Sequence, residues 1–214
     1  MARQKKQRKK YRGFWIFFKL QLLLLLLLIA AAAYYFGGGY AQTIAELKDD
    51  ADMLVAKSNA DTFRKGETGL VYDSDGKLLK AYKGEKDAYY IKYADIPEIV
   101  EKTFVAVEDQ KFYRHKGVDY LAILRAIIAM VRNGEVTQGG STITQQLART
   151  VYLSMDRTWE RKMEEIFIAR NLEDKYTKSQ IMEFYLNNIY FGNGYYGIQA
   201  AAQGYFSKSI DKLD

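Results

Sequence analysis

The 214-residue sequence contains no cysteine, which excludes disulfides, thiolate metal sites and a cysteine nucleophile. Proline and histidine each occur once, as Pro97 and His115. A charged binding surface is missing as well. The net charge is +6, but residues 1–12 carry seven Lys and Arg, and the remainder has 25 basic and 26 acidic residues. The basic charge is therefore a tail, which argues against nucleic-acid binding.

A long apolar run follows the basic tail. As a helix, residues 14–36 would span about 34 Å, enough for a bilayer core, although Lys19 and Gln21 interrupt the run near its start. The basic flank predicts a cytoplasmic amino terminus and an extracytoplasmic remainder. A cleaved signal peptide is the competing interpretation, because the alanines at 31–33 offer a small-residue cleavage site.

The whole chain is 49% hydrophobic and 27% charged, which suits a packed core. The predicted organisation is a basic tail (1–13), a transmembrane anchor (14–36), a helical stalk or linker (37–66) and a mainly α-helical domain with a small β-hairpin (67–214). The chain stops in KSIDKLD with no closing element, which predicts a domain truncated at its carboxyl end. Apolar residues recur at helical spacing in the stalk: Ile44, Leu47, Ala51, Leu54 and Val55.

Local signals predict the first elements of the domain. The tetrapeptide DSDG (73–76) lies between β-forming runs and indicates a hairpin turn, since the later ligands of a calcium loop are missing. Asp95 and Pro97 predict the start of a helix. Residues 118–132 are apolar nearly all round, so that helix belongs in the core or at a membrane surface, and burial of Arg125 would require an anionic partner. The expected buried stripe of the earlier helix is Ile99, Val100, Thr103, Phe104 and Val107.

The segment EDQKFYRHKG (108–117) begins with two carboxylates at a helix end. The negative end of the helix dipole and the adjacent Asp109 both favour proton uptake by Glu108, as a general base requires. A solvated helix end is the alternative for this pair, and a structural role is the alternative for His115.

A second segment, TQGGSTITQQLART (137–150), joins a glycine pair to hydroxyl, amide and basic side chains. Ser141 or Thr142 can cap a helix whose amino terminus would face an anion. Ser141, Gln145 and Arg149 would then share one face, which fits a site for phosphate or sugar oxygens. A capped helix with solvated polar residues also explains the segment.

A third segment, RTWERKMEEIFIAR (157–170), places Arg161 and Glu165 four residues apart on one helix face, with Lys162 on a neighbouring face. An intrahelical ion pair worth only tenths of a kcal/mol is the default explanation. Further on, Thr177 and Gln180 form a capping box at the start of the run KSQIMEFYLN.

Together and in this order, EDQKFYRHKG, GGSTITQQLAR, RKMEE and KSQIMEFYLN resemble the glycosyltransferase domain of class A penicillin-binding proteins and of monofunctional peptidoglycan glycosyltransferases. Four ordered motifs are far more specific than any one of them. The resemblance covers residues 67–214 and implies a lysozyme-like helical fold. It also implies the polymerisation of lipid II, a disaccharide-pentapeptide on undecaprenyl diphosphate, with inversion at the anomeric carbon.

The resemblance implies two catalytic glutamates, Glu108 and Glu165, lining one cleft with positive walls. Glu108 would take the proton of the acceptor hydroxyl. Basic residues would stabilise the diphosphate leaving group, and Glu165 would orient them or hold a divalent metal. Arg149 stands where many members of the family have lysine. The implied substrate-binding residues are Asp109, Phe112, His115, Arg125, Ser141, Thr142, Gln145, Gln146, Arg149, Arg161 and Lys162.

No cofactor is required by the sequence, and a divalent cation (Mg²⁺ or Mn²⁺) stays open. The implied partners are lipid II, the growing glycan strand and the lipid bilayer, with cell-wall elongation or division proteins as further candidates. The implied location is the bacterial cell membrane, with a single span. A lysozyme-like peptidoglycan hydrolase and a non-catalytic envelope scaffold are the alternatives. Whether the parent protein adds a transpeptidase domain is also left open.

Overall fold

The computed structural model describes residues 2–64, 66–82, 87–133 and 140–213. The chain divides into two compact units, Met1–Glu46 and Leu47–Asp214. The first unit contains helix α1 (Ala2–Gly37) and the start of helix α2 (Tyr40–Lys57). Within α1, the 24 residues Phe14–Gly37 are apolar and long enough to cross a membrane, and none of them is buried against other parts of the protein. The long apolar helix predicted here is confirmed.

The second unit is mainly helical, which confirms the predicted fold class. Its helices are α3 (Glu98–Glu108), α4 (Tyr120–Asn133), α5 (Ile143–Tyr152), α6 (Trp159–Lys175), α7 (Lys178–Asn188) and α8 (Ile198–Phe206). Strands β1 (Gly69–Tyr72) and β2 (Leu78–Tyr82) form an antiparallel pair, and β3 (Asp87–Ala88) pairs in parallel with β4 (Tyr195–Tyr196).

The predicted hairpin turn joins β1 to β2. The Asp73 carboxylate accepts hydrogen bonds from the amides of Asp75 and Lys77, at 3.0 and 2.8 Å. Gly76 has a φ of 79°, a conformation that a residue with a side chain rarely adopts. The DSDG segment is therefore a side-chain-stabilised turn, as expected.

The core of this unit lies where α5, α6 and α7 pack together. Capping boxes at Thr142 and Thr177 start α5 and α7, because each hydroxyl accepts the third helical amide and the third side chain bonds back. Thr142, not Ser141, is thus the cap of α5. The fully buried aliphatic residues of these helices include Ile143, Leu147, Ile168, Leu172, Ile181 and Leu186.

The predicted buried stripe of α3 is wrong. Ile99 and Val107 are 65% and 74% exposed, and only Val100 and Phe104 of the predicted stripe pack against the core among the described residues. The predicted acidic cap is also wrong, because Pro97 occupies the cap position, without a side-chain bond, and Asp95 belongs to a preceding 3₁₀ turn. Helical periodicity correctly identified the helix, but the core covers only part of its apolar stripe.

Helix α4 lies at the surface, which rules out the core alternative for residues 118–132. Asp119 caps it, since its Oδ1 accepts from the amides of Leu121 and Ala122 at 3.0 Å each. The side chains described in α4 are exposed or only partly covered. The exposed apolar residues of α4 are Tyr120, Leu121, Leu124, Ile127, Ile128, Met130 and Val131.

The second half of α2 packs into the core through Ala51 and Val55, whereas Leu54, predicted on the same stripe, is exposed. Lys175 in α6 holds the end of α2. Its Nζ donates to the carbonyl oxygens of Val55, Ala56 and Ser58 at 2.7, 3.0 and 2.6 Å. These carbonyls lie at and just after the end of α2, so the ammonium group adds a charged donor there, beside the Ser58 amide and hydroxyl that also bond the Val55 carbonyl.

Replacing Lys175 by methionine should lower the free energy of unfolding by about 2 kcal/mol, because three carbonyl oxygens lose a charged donor. Urea or thermal unfolding of the detergent-solubilised protein measures this. Lys48→Met, which breaks an exposed pair with Asp52 inside α2, is the control and should leave stability nearly unchanged. Equal losses in the two variants would contradict the role given to Lys175.

Candidate active site

Glu108 and Asp109 are neighbours in the chain but face different surroundings. Glu108 is the last residue of α3 and its side chain is exposed, with Oε2 accepting a 2.8 Å hydrogen bond from Nε2 of Gln146. Asp109 is buried, and the chain leaves the helix at this residue. The pair is therefore neither a simple solvated helix end nor two equivalent acids.

Asp109 ties the turn after α3 to the amino terminus of α5. Its Oδ2 accepts from Nε2 of His115 at 2.8 Å and from the amide of Ile143 at 3.1 Å. The anion expected at the start of α5 is therefore this protein carboxylate, which satisfies one of the free helix amides. Asp109 and His115 therefore fix the turn that forms one wall of the cleft.

The end of this turn requires glycine. Gly117 has a φ of 81°, and a Cβ at this position would lie 2.5 Å from the carbonyl oxygen of Ala169 in α6. The Gly117 carbonyl accepts from the Thr142 hydroxyl at 2.6 Å, and Phe112 is fully buried beneath the turn. The turn is thus packed against α5 and α6, which gives Glu108 a rigid support.

The Glu108 side chain lines a cleft of about 510 Å³. One wall is the turn after α3, one is the start of α4, and the third is the segment leading into α5. The lining residues are Val107, Glu108, Asp109, Gln110, Lys111, Asp119, Ala122, Arg125, Gly140, Ser141 and Thr142. The cleft therefore gathers residues from the first two sequence motifs.

Asp119 holds cations on the α4 side of the cleft. Its Oδ2 lies 3.3 Å from Lys111 and 3.9 Å from Arg125. Partial burial alone would raise the pKa of Asp119, but hydrogen bonds from the Ala122 amide and from Lys111 hold it below its usual value. The Arg125 side chain is 58% exposed, so the condition set for a buried charge does not arise, and the residue is available to an anion in the cleft.

Glu165 lies beneath the α5 wall, fully buried. Its Oε2 accepts from Arg161 at 2.8 Å, and its Oε1 accepts from Lys162 and, at 3.3 Å, from Gln145. Arg161 and Lys162 thus converge on one carboxylate, although the helical spacing placed them on neighbouring faces. Because Glu165 is buried, the pair is not the weak surface interaction that spacing alone predicts.

Lys162 connects this buried cluster to the cleft. Its Nζ donates to the Ser141 hydroxyl at 2.9 Å, and Ser141 lines the cleft. The two glutamates therefore do not share one surface: Glu108 faces the cleft, and Glu165 orients cations behind the wall. Two adjacent side-chain amides of α5 contact different glutamates: Gln145 donates to Glu165, and Gln146 donates to Glu108.

The predicted shared face of Ser141, Gln145 and Arg149 is wrong. Ser141 precedes the helix, and Gln145 is fully buried in the capping box. Arg149 is half-buried in the last turn of α5, close enough to Tyr185 for its charge to act on that hydroxyl. Of the three, Ser141 is in the cleft wall.

A divalent metal does not fit at Glu165, because both of its oxygens accept hydrogen bonds from cationic side chains. Across the described ranges, no group of three or more acidic or histidine side chains is placed to hold a metal ion. A metal ligand set would need such oxygen donors to be free.

The structure adds Lys178 and Glu173, which had no assigned role in the sequence motifs. Lys178 donates to the carbonyl oxygen of His115 at 2.9 Å and to Glu173 at 2.7 Å, and lies 4.3 Å above the Phe112 ring. Glu173 also accepts from the Thr144 hydroxyl at 2.6 Å. This pair joins the turn after α3 to α5, α6 and α7. Its only sequence signal was the position of Lys178 at the start of KSQIMEFYLN.

The first two motifs thus line the cleft, and the third and fourth pack against its walls through Lys162 and Lys178. Residues 75–214, more than half of the chain, match the family described as Transglycosylase. The chain belongs to the transglycosylase family. This confirms the membership indicated by the motifs, namely the glycosyltransferase domain of class A penicillin-binding proteins.

Similar curated proteins agree with this membership. The chain is 43% identical over 148 residues to penicillin-binding protein 4 of Bacillus subtilis, covering 69% of this chain and 24% of the relative. It is 48% identical over 143 residues to penicillin-binding protein 1A of Aquifex aeolicus, covering 67% and 20%. For penicillin-binding protein 1A of Escherichia coli the identity is 47% over 143 residues, covering 67% and 17%. The match spans about a quarter or less of each of these relatives.

Replacing Lys178 by methionine should lower the free energy of unfolding of this transglycosylase domain by about 3 kcal/mol, because Glu173, 5% exposed, loses its cation. Adding Glu173→Gln should restore part of the loss, since the buried charge is then removed as well. Lys102→Met, in an exposed pair with Glu98, is the control in the same unfolding measurement. A Lys178→Met protein as stable as this control would show that the buried pair is not a structural link.

Proposed function

We propose that this protein is a membrane-anchored peptidoglycan glycosyltransferase that polymerises lipid II into glycan strands, with inversion at the anomeric carbon and release of undecaprenyl diphosphate. The observation that carries the proposal is the exposed Glu108 carboxylate, held by Gln146 at the edge of a cleft with cationic walls. Membership of the transglycosylase family supports the same reaction class.

Glu108 is the proposed general base. One of its oxygens accepts from Gln146, which leaves the other oxygen free to take the proton of the acceptor's 4-hydroxyl. As it loses this proton, the acceptor's 4-oxygen attacks the anomeric carbon of the donor, and the diphosphate leaves from the opposite side. A single displacement needs one base and a stabilised leaving group, and it forms no covalent glycosyl-enzyme.

The cations around the cleft are the proposed partners of the diphosphate. Arg125 reaches the cleft from α4, and Lys162 reaches its wall through Ser141. Arg161 is held against Glu165, and Arg149 adds one further positive charge in the last turn of α5. Fixed positive groups stabilise the charge that grows on the leaving oxygen without reorganising during the reaction. Glu165 is then an orienting group for Arg161 and Lys162.

A divalent cation enters this proposal only with the substrate. Glu165 has no free oxygen for a metal, whereas a diphosphate brings several of the oxygen ligands that Mg²⁺ prefers. No step of the proposed displacement depends on it.

The hydrolase alternative is less compatible with the cleft. An inverting glycosidase needs a second carboxyl group that donates a proton to the leaving oxygen. Among the described residues that line the cleft, the carboxylates other than Glu108 are engaged: Asp109 by His115, and Asp119 by Lys111. Each is held as an acceptor of charged or N–H donors, so neither is placed to act as the acid.

We further propose that residues 14–36 cross the membrane with the basic amino terminus in the cytoplasm, which confines the enzyme to the surface that carries its lipid substrate. The exposed apolar face of α4, including Leu124 and Val131, offers a surface for the polyprenyl chain. The partners this requires are lipid II, the growing strand and the bilayer. Elongation or division proteins remain candidates that the proposed chemistry does not need.

Replacing Glu108 by glutamine should reduce lipid II polymerisation at least about a hundredfold, because an amide cannot accept the hydroxyl proton. The assay follows lengthening of glycan strands from purified lipid II by the full chain in detergent. Glu98→Gln, at the exposed start of α3, is the control and should polymerise like the unsubstituted protein.

The same protein is incubated with finished glycan strands. Cleavage of these strands without lengthening of lipid II would establish the hydrolase in place of the transferase. Undiminished polymerisation by Glu108→Gln would remove Glu108 as the base and favour a different mechanism.

A further inference from the structure

Tyr185 in α7 carries a hydroxyl group into the interior beside the cleft. The residue is 1% exposed, and its ring packs edge-on against Phe104 at a centroid distance of 5.9 Å. Its hydroxyl donates to Oε1 of Gln146 at 3.3 Å. A buried phenol needs a partner, because burying an unpaired hydroxyl is costly. The Tyr185 hydroxyl is therefore bonded to Gln146, the same side chain that donates to Glu108.

Gln146 connects the two residues through opposite ends of one amide. Its Oε1 accepts from Tyr185, so its Nε2 is the end that faces Glu108, where it donates at 2.8 Å. The reverse orientation would direct an amide oxygen at a carboxylate, and two acceptors repel each other. Burial, followed by the charge of Glu108, raises the pKa of Tyr185 far above its usual value, against the opposing charge of Arg149. The hydroxyl thus stays protonated, and able to donate, near neutral pH.

We propose that Tyr185 is a positioning residue for the glycosyl transfer: its hydroxyl sets the Gln146 amide so that Nε2 donates to Glu108 and holds one carboxylate oxygen in place. This inference rests on the proposed role of Glu108 as the base. The other carboxylate oxygen is then left facing the cleft for the acceptor hydroxyl. Tyr185 acts through Gln146 and does not touch the substrate.

This role differs from that of a core tyrosine that merely fills space. Phenylalanine keeps the ring and its contact with Phe104 but removes the hydroxyl. A packing role predicts no change in the reaction, whereas the positioning role predicts that Gln146 loses its preferred orientation. Glu108 would then be held by a donor for only part of the time.

Tyr185→Phe should lower kcat about five- to tenfold with KM for lipid II nearly unchanged, as expected for the loss of one orienting hydrogen bond. The acid limb of the pH–rate profile should also move to higher pH, because a weakened bond from Gln146 Nε2 stabilises the charged carboxylate of Glu108 less. Tyr93→Phe removes a hydroxyl bonded to Glu101 elsewhere in the domain and serves as the matched control. Unfolding curves of both variants establish that the domain remains intact.

A double-mutant cycle with Gln146→Ala tests whether Tyr185 acts through Gln146. In the Gln146→Ala background, Tyr185→Phe should have no further effect on kcat, because the side chain it orients is gone. Additive losses, or a Tyr185→Phe enzyme with the kcat and pH profile of the Tyr93→Phe control, would overturn the inference. If Glu108→Gln is inactive in the same assay, such a result rejects the role of Tyr185 alone. If Glu108→Gln is active, the proposed base itself is rejected.

Discussion

The Asp109 carboxylate is the interaction on which the site depends. It accepts a hydrogen bond from His115 at one end of the turn and from the Ile143 amide at the start of α5. Because both donors reach the same oxygen, the turn after α3 cannot move independently of α5. This brings Glu108 against Gln146, which lies 38 residues later in the chain. Removing the carboxylate would leave a helix amide and a buried imidazole nitrogen without their acceptor.

Two carboxylates besides Asp109 organise positive charge, each in a different environment. Asp119 is part of a helix cap, so its position is fixed by backbone amides, and its free oxygen gathers Lys111 and Arg125. Glu165 is buried and gathers Arg161 and Lys162. A buried carboxylate is costly unless cations surround it, and surrounding it fixes those cations. The desolvation of Glu165 thus serves to hold positive charge behind the cleft wall.

Helix α5 contacts both glutamates, Glu108 on the cleft side and Glu165 in the interior. Adjacent amide side chains, Gln145 and Gln146, point to different carboxylates, one buried and one facing the cleft. The capping box at Thr142 sets the rotation of the helix and thereby decides which amide faces which side. A rigid helix start is required, since a rotation of one residue would exchange the two roles.

Much of the local structure followed from the sequence alone, because its causes are local. The hydroxyl caps at Thr142 and Thr177, the DSDG turn and the apolar helix at residues 14–36 each depend on residues a few positions apart. The four motifs also identified the family and the residues that meet near the cleft. Their individual roles in catalysis stay predictions.

Only the tertiary structure decided which side chains are covered. Periodicity placed Ile99 and Val107 on an apolar stripe, yet both are exposed. Spacing placed Glu165 in a surface pair, yet it is buried. The partners of Lys178 lie in two other parts of the chain, the turn after α3 and helix α6, so a motif could mark the residue but not its contacts. Helical spacing defines which residues share a face. Burial depends on what packs against that face, and this is set by contacts between residues distant in sequence.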